Sequence, residues 1–206
     1  MTPDRSSEPR FGVSIRRLQE SWVILALLAV CLLLGAGGDE VRELGRYERH
    51  AVEGGEYWRL VSGHLVHLGF GHLWPNVAAL AIIALLFEGI FSNTDWLRLG
   101  AASALAIDVG LYALDPSVLW YVGLSGVLHG FVAAGALALL VRRETLGAVL
   151  GLGLGAKLLF EQIVGPVPFT AQSVGGPVVV AAHLYGAIGA LLAEAAVELA
   201  RRRSRV

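Results

Sequence analysis

Long apolar runs separated by short polar or glycine-rich stretches dominate this chain. Six of them lie near 20–38, 70–91, 96–114, 124–141, 145–164 and 177–198. Each is about 18–22 residues long, and a 30 Å hydrocarbon core takes about 20 residues at 1.5 Å rise. The apolar residues are continuous and do not alternate, which argues for helices. With connections this short, a lipid-embedded backbone must satisfy its own hydrogen bonds, as a helix does. The expected fold is an all-α membrane protein: a six-helix bundle over 20–198, with basic tails at 1–19 and 199–206 and no second domain. The loop 39–69 is too long for a turn, and Tyr57, Trp58, Leu60 and Val61 give it an interfacial character.

Composition agrees. Of 206 residues, 55% are hydrophobic and only 16% charged, against about 25% charged in a typical soluble domain. Mean hydropathy is +0.64. The 26 glycines follow no G-X-Y period, which excludes collagen, and the net charge of −1 in so apolar a chain excludes disorder. A single cysteine, Cys31, rules out an intrachain disulfide. The first run is read as a span and not as a signal peptide, because it is long and no cleavage site clearly follows.

The placement of charge is more telling than its sum. Arg5, Arg10, Arg16 and Arg17 precede the first run, Arg142 and Arg143 separate the fourth from the fifth, and Arg201, Arg202, Arg203 and Arg205 close the chain. With six spans all three groups fall on one side, the cytoplasmic one by the positive-inside rule. The loops 115–123 and 165–176 fall opposite and contain no Lys or Arg. The expected location is an inner membrane, with both termini cytoplasmic and any site opening outward.

Polar groups inside spans are costly and therefore functional candidates. Gly123-Leu124-Ser125-Gly126 opens the fourth run. A serine there is either an N-cap or an accessible nucleophile beside unpaired helix N–H groups. His183, in Ala182-His183-Leu184-Tyr185-Gly186, is either a packed histidine or a general base. His72 and Asn76 share a helix face, and Pro75 between them predicts a helix beginning near 71–73. His129 is one turn below Ser125, where it is a poor base but a suitable packing or orienting group. Lys157 and Glu161, four apart in the fifth run, read as an ion pair or as snorkelling ends, and Asp108 lies in the third run. Gly126 with Gly130, and Gly186 with Ala190, predict close approach of the fourth and sixth spans. Gly147, Gly151 and Gly155 predict a packing face on the fifth.

Trp58-Arg59, His67…His72…Asn76, Gly123-Leu124-Ser125-Gly126 and Ala182-His183-Leu184-Tyr185-Gly186 occur in this order on the expected spans. Together they make the chain resemble the rhomboid family of intramembrane serine proteases, over about 20–198. The resemblance implies Ser125 as nucleophile and His183 as base, a dyad without a carboxylate. It implies His72 and Asn76 as oxyanion donors with the Ser125 N–H, His67 as an organiser of a water-filled cavity, and Gly123 as the bend before the nucleophile. Rhomboids usually carry Tyr where this chain has His129. The string Gly-Leu-Ser-Gly-Val-Leu-His-Gly at 123–130 and Gly-His-Leu-Val-His-Leu at 63–68 resemble the rhombosortase branch. That branch implies membrane-anchored substrates with a C-terminal Gly-Gly, transmembrane helix and basic end. The substitution leaves open whether His129 titrates near neutral pH.

No cofactor, metal or nucleic acid is expected; the implied partners are the bilayer and substrate helices. Competing readings are a non-catalytic rhomboid-like protein that binds transmembrane helices, and a metal or haem protein using His64, His67 and His72. The three histidines do not share one helix face, and no Cys or carboxylate cluster completes a ligand set. No inverted repeat suggests a transporter.

Overall fold

The computed structural model describes residues 21–168 and 170–204. Arg5, Arg10, Arg16, Arg17 and Arg205, which carry part of the charge argument, lie outside the described residues. Helices account for most of the chain. In order, α1 is Trp22–Ala36, α2 Gly38–Gly45, β1 Tyr47–Glu48, α3 Arg49–Glu53, α4 Arg59–Ser62, α5 Phe70–Leu86 and α6 Asn93–Ala113. There follow β2 Trp120–Tyr121, α7 Ser125–Val141, α8 Thr145–Val164, α9 Thr170–Val174 and α10 Val180–Arg203.

The six long helices coincide with the six apolar runs, with shifted ends. The second stops at Leu86, short of residue 91, because the chain turns at Gly89 (φ +70°) and restarts at Ser92. Ser92 and Asp95 form a reciprocal capping box that sets the start of α6. α10 continues to Arg203, with three arginines in its last turn. Of the described helices, α8 and α10 are by themselves long and apolar enough to cross a membrane, and α1 with α2 forms a pair bent by 117° that passes together. α5 and α7, at 17 residues, are shorter apolar helices.

α7 is the central helix, with eleven buried residues. It runs parallel to α10 at backbone contact. A Cβ on Gly126 would lie 2.8 Å from the Ala182 carbonyl oxygen, and one on Gly130 2.7 Å from that of Gly186. α6 runs antiparallel to α10: Arg98 near its start bonds the Ala193 carbonyl and Glu194, while Gly110 near its end packs on Tyr185. The predicted approach of the fourth and sixth spans is therefore observed.

The fifth span departs from expectation. Gly147 does pack on α7, where a Cβ would meet the Ala136 carbonyl oxygen at 2.8 Å. Gly151 makes only an ordinary contact, and nothing lies within 4 Å of a Cβ built on Gly153 or Gly155. Higher up, α8 stays packed on α7 and α10 through Leu154 and Leu158, which meet Ala133 and Ala187, while Gly153 and Gly155 lie exposed.

The loop 39–69 is folded. Buried Arg59 donates to the carbonyls of Glu43 and Arg46, both at 2.9 Å, and to Glu56 Oε2 at 2.6 Å. β1 pairs antiparallel with β2, Tyr47 opposite Tyr121, which joins this loop to the approach of α7. Arg49 donates to the carbonyls of Leu111, Tyr112 and Asp115 and so satisfies the C-terminal end of α6. Tyr57, Trp58 and Val61 are exposed.

Candidate active site

Ser125 is the first residue of α7, and its position depends on the segment before it. Gly123 has φ +117°, and a Cβ there would lie 2.6 Å from the His72 ring. Only glycine meets both conditions. The Gly123 N–H donates to the Gly63 carbonyl at 2.9 Å, and the Tyr121 hydroxyl donates to the Gly123 carbonyl at 2.6 Å. The bend is thus tied to the folded loop on one side and to β2 on the other.

Facing it, α10 presents His183, buried, with Nε2 3.0 Å from Ser125 Oγ. His183 Nδ1 lies 2.9 Å from Glu161 Oε2 of α8. This corrects the expectation that no carboxylate orients the histidine. Glu161 itself is buried, and its other oxygen accepts from Lys157 Nζ at 2.7 Å. The predicted Lys157–Glu161 pair forms, but the site also uses it. Sequence spacing exposed the i, i+4 pair; the contact with His183, on another helix, had no local signal.

His129 stacks on His183, with ring centroids 4.1 Å apart and planes 12° apart. Its Nδ1 donates to the Ser125 carbonyl at 2.7 Å, and its Nε2 accepts from Lys157 at 2.8 Å. Both ring nitrogens are therefore engaged in the neutral form. His129, Glu161 and His183 have donor atoms within 4.8 Å of one another, the spacing of a metal site. The Lys157 ammonium already bonds two of these residues and supplies the positive charge there.

α5 brings His72 and Asn76, both buried, to the same space. His72 Nδ1 accepts from the Leu68 N–H at 3.4 Å, which leaves Nε2 as the protonated nitrogen on the side of Gly123. Asn76 Nδ2 donates to the His72 carbonyl at 2.8 Å and retains a second N–H. α5 starts at Phe70, slightly before the expected 71–73, and Pro75 is accommodated near its head. His67 packs edge-on against His72 at 5.0 Å. Burial first, and then the neighbouring His72, push the His67 imidazole down to about 3. His64 points elsewhere, its Nε2 3.2 Å from Asp108 Oδ1, so His64, His67 and His72 do not gather as a ligand set.

A cavity of about 600 Å³ joins these groups, bounded by Pro75 and Asn76 of α5, Ser125 and His129 of α7, Val149 and Gly153 of α8, and His183 of α10.

A serine thus faces a histidine in a polar corner of an otherwise apolar cavity, at the head of a central helix. Residues 54–198 match the model of the rhomboid domain. The chain belongs to the rhomboid family. It is 31% identical over 96 residues to "Putative rhomboid protease YdcA" of Bacillus subtilis, covering 47% of this chain and 48% of that protein. It is 36% identical over 110 residues to "RHOMBOID-like protein 5" of Arabidopsis thaliana, covering 50% and 34%. It is 30% identical over 117 residues to "Rhomboid protease GlpG" of Haemophilus influenzae, covering 54% and 59%. The matched part spans roughly a third to three fifths of these rhomboid relatives. All four predicted rhomboid motifs lie inside the matched domain.

Proposed function

We propose that this rhomboid is an intramembrane serine endopeptidase that hydrolyses a peptide bond in or next to a substrate transmembrane helix. The observation that carries the reading is the 3.0 Å Ser125 Oγ–His183 Nε2 contact on the wall of the cavity. His183 takes the Ser125 proton as Oγ attacks the scissile carbonyl. The oxyanion is met by the Ser125 N–H, by His72 Nε2–H and by the second Asn76 N–H, each donor contributing about 10²–10³ in rate. His183 then protonates the leaving amine, and water hydrolyses the acyl-enzyme; an amine in place of water would give transfer. A helical peptide bond is shielded, so substrates with Gly or Pro near the cut, which unwind readily, are favoured.

In the membrane, the six long helices act as six spans, with Arg142, Arg143 and the Arg201–Arg203 end on the cytoplasmic side of a bacterial inner membrane and the cavity opening outward. The substrates are exported proteins with a C-terminal Gly-Gly, transmembrane helix and basic end, a reading supported by His129 in the Gly123–Gly130 string.

The test is co-expression with a reporter carrying that tail, alongside labelling by a fluorophosphonate, for wild type and the folded Ser125→Ala and His183→Ala variants. Cleavage and labelling by wild type alone are expected. Labelling without cleavage would retain the protease and remove the tail specificity. Neither in wild type would leave a helix-binding protein.

A further inference from the structure

We propose that Glu161 and Lys157 complete the catalytic site: Ser125 belongs to a closed hydrogen-bonded ring, Ser125–His183–Glu161–Lys157–His129–Ser125, in which Glu161 positions His183 and Lys157 holds both Glu161 and His129. This rests on the serine-protease reading above and goes beyond its Ser–His pair.

The chemistry of each group leaves one way round the ring. A carbonyl oxygen only accepts, so His129 Nδ1 donates to the Ser125 carbonyl (2.7 Å) and its Nε2 accepts. An ammonium only donates, and Lys157 Nζ faces that Nε2 at 2.8 Å and Glu161 Oε1 at 2.7 Å. A carboxylate only accepts, so His183 Nδ1 donates to Glu161 Oε2 (2.9 Å). His183 Nε2 is then the acceptor facing the Ser125 hydroxyl at 3.0 Å. That is the tautomer a general base needs, and in this ring it follows from the carboxylate. No donor faces a donor anywhere around it.

Glu161 and His183 are 3% and 5% exposed, so the contact is shielded from competing water. In the resting site the Glu161 and Lys157 charges cancel. In the attack the Ser125 Oγ–H bond breaks and its proton moves to His183 Nε2. The Oγ–C bond forms, and the carbonyl electron pair moves to oxygen. The new imidazolium faces Glu161, which takes no proton, while stacked His129 fixes the orientation of the His183 ring. Removing the carboxylate would leave the imidazolium beside the Lys157 ammonium without a counter-charge.

Glutamine cannot substitute, because Lys157 and His183 bond different carboxylate oxygens and one of these positions would become an NH2 donor facing a donor. The experiment compares wild type, Glu161→Gln and the double variant Lys157→Gln/Glu161→Gln as full chains in detergent. The readouts are the rate of fluorophosphonate labelling of Ser125, reporter kcat and KM, thermal midpoint and the downfield imidazole N–H proton resonance. Glu161→Gln is expected to lower the labelling rate and kcat by about 10²–10⁴-fold with KM little changed, and to lose the resonance. The double variant removes the unpaired ammonium, so it is expected to regain stability while staying impaired.

A folded Glu161→Gln enzyme with a wild-type labelling rate would overturn the proposal. So would a double variant that regains activity, which would make Glu161 merely the partner of Lys157. Absence of the downfield resonance in wild type would do the same. The resonance is read on substrate-free protein, so it separates failure of the ring from failure of the protease reading, which Ser125→Ala tests.

Discussion

Two faces of the bundle carry the same signature, small residues spaced along apolar helices, and come to opposite ends. Along the α7–α10 seam, Gly126, Gly130 and Gly186 are in backbone contact. Along the upper part of α8, Gly153 and Gly155 face open space. The first face brings Ser125 to His183; the second leaves the cavity in front of them. Small residues in a membrane helix therefore permit either an approach or a gap. The facing helix decides which: α10 meets α7 along its glycines, while α8 meets α7 and α10 through Gly147, Leu158, Lys157 and Glu161 and leaves Gly153 and Gly155 exposed.

The difference can be broken from the closed side. Gly186→Val would drive a branched side chain into the Gly126 carbonyl. Overpacking typically costs about 1–3 kcal/mol, and a 1 Å displacement of reacting groups costs about 10²-fold in rate. Ser125 labelling is expected to fall at least that far, with a lowered thermal midpoint. An unchanged labelling rate would mean that the seam does not position the pair.

Asn76→Ala, on α5 across the cavity, is expected to lower kcat by about 10²-fold with the fold intact; an unaltered kcat would remove Asn76 from the oxyanion site. On the open side, Gly153→Phe fills space without meeting backbone. Reporter KM is expected to rise about tenfold, with labelling by a small fluorophosphonate changed far less. Equal loss of both would show that α8 moves the catalytic groups. Gly155→Ala should be silent in activity and shift stability by no more than about 0.5–1 kcal/mol, upward, as read by thermal melting.

The mildest test concerns His67, buried against His72. Its folded imidazole titrates near 3 against an ordinary value of 6.5. Below pH 6.5 the unfolded chain binds a proton that the folded one does not, so stability is full above pH 6.5 and declines as pH falls toward 3. His67→Phe is expected to flatten the part of the melting-temperature profile that His67 contributes.

Much of the fold was legible in the sequence because an apolar run of membrane length has few alternatives. Each of the six long helices sits on its run, and the misplaced ends fall where local chemistry intervenes, as at Gly89 and the Ser92–Asp95 capping box. Ser125 and His183 were legible because each sits in a short, distinctive string. Glu161 was not. Its i, i+4 spacing to Lys157 already supplied a sufficient partner, and nothing along one helix points to a histidine 22 residues away on another. The α8 glycines misled for a related reason, since a small residue states how close a neighbour can come and not whether one does.

By itself, the sequence determined that this chain is helical, where its helices lie, and which serine and histidine are candidates for chemistry. These are properties of local periodicity, hydropathy and short motifs, which survive without knowledge of any neighbour. Only the tertiary structure decided that α5, α7, α8 and α10 border one cavity, that Arg59 and Arg49 are spent on backbone carbonyls, and that a carboxylate stands behind His183. Each depends on which helices meet and at what angle, and that is settled by packing over the whole bundle.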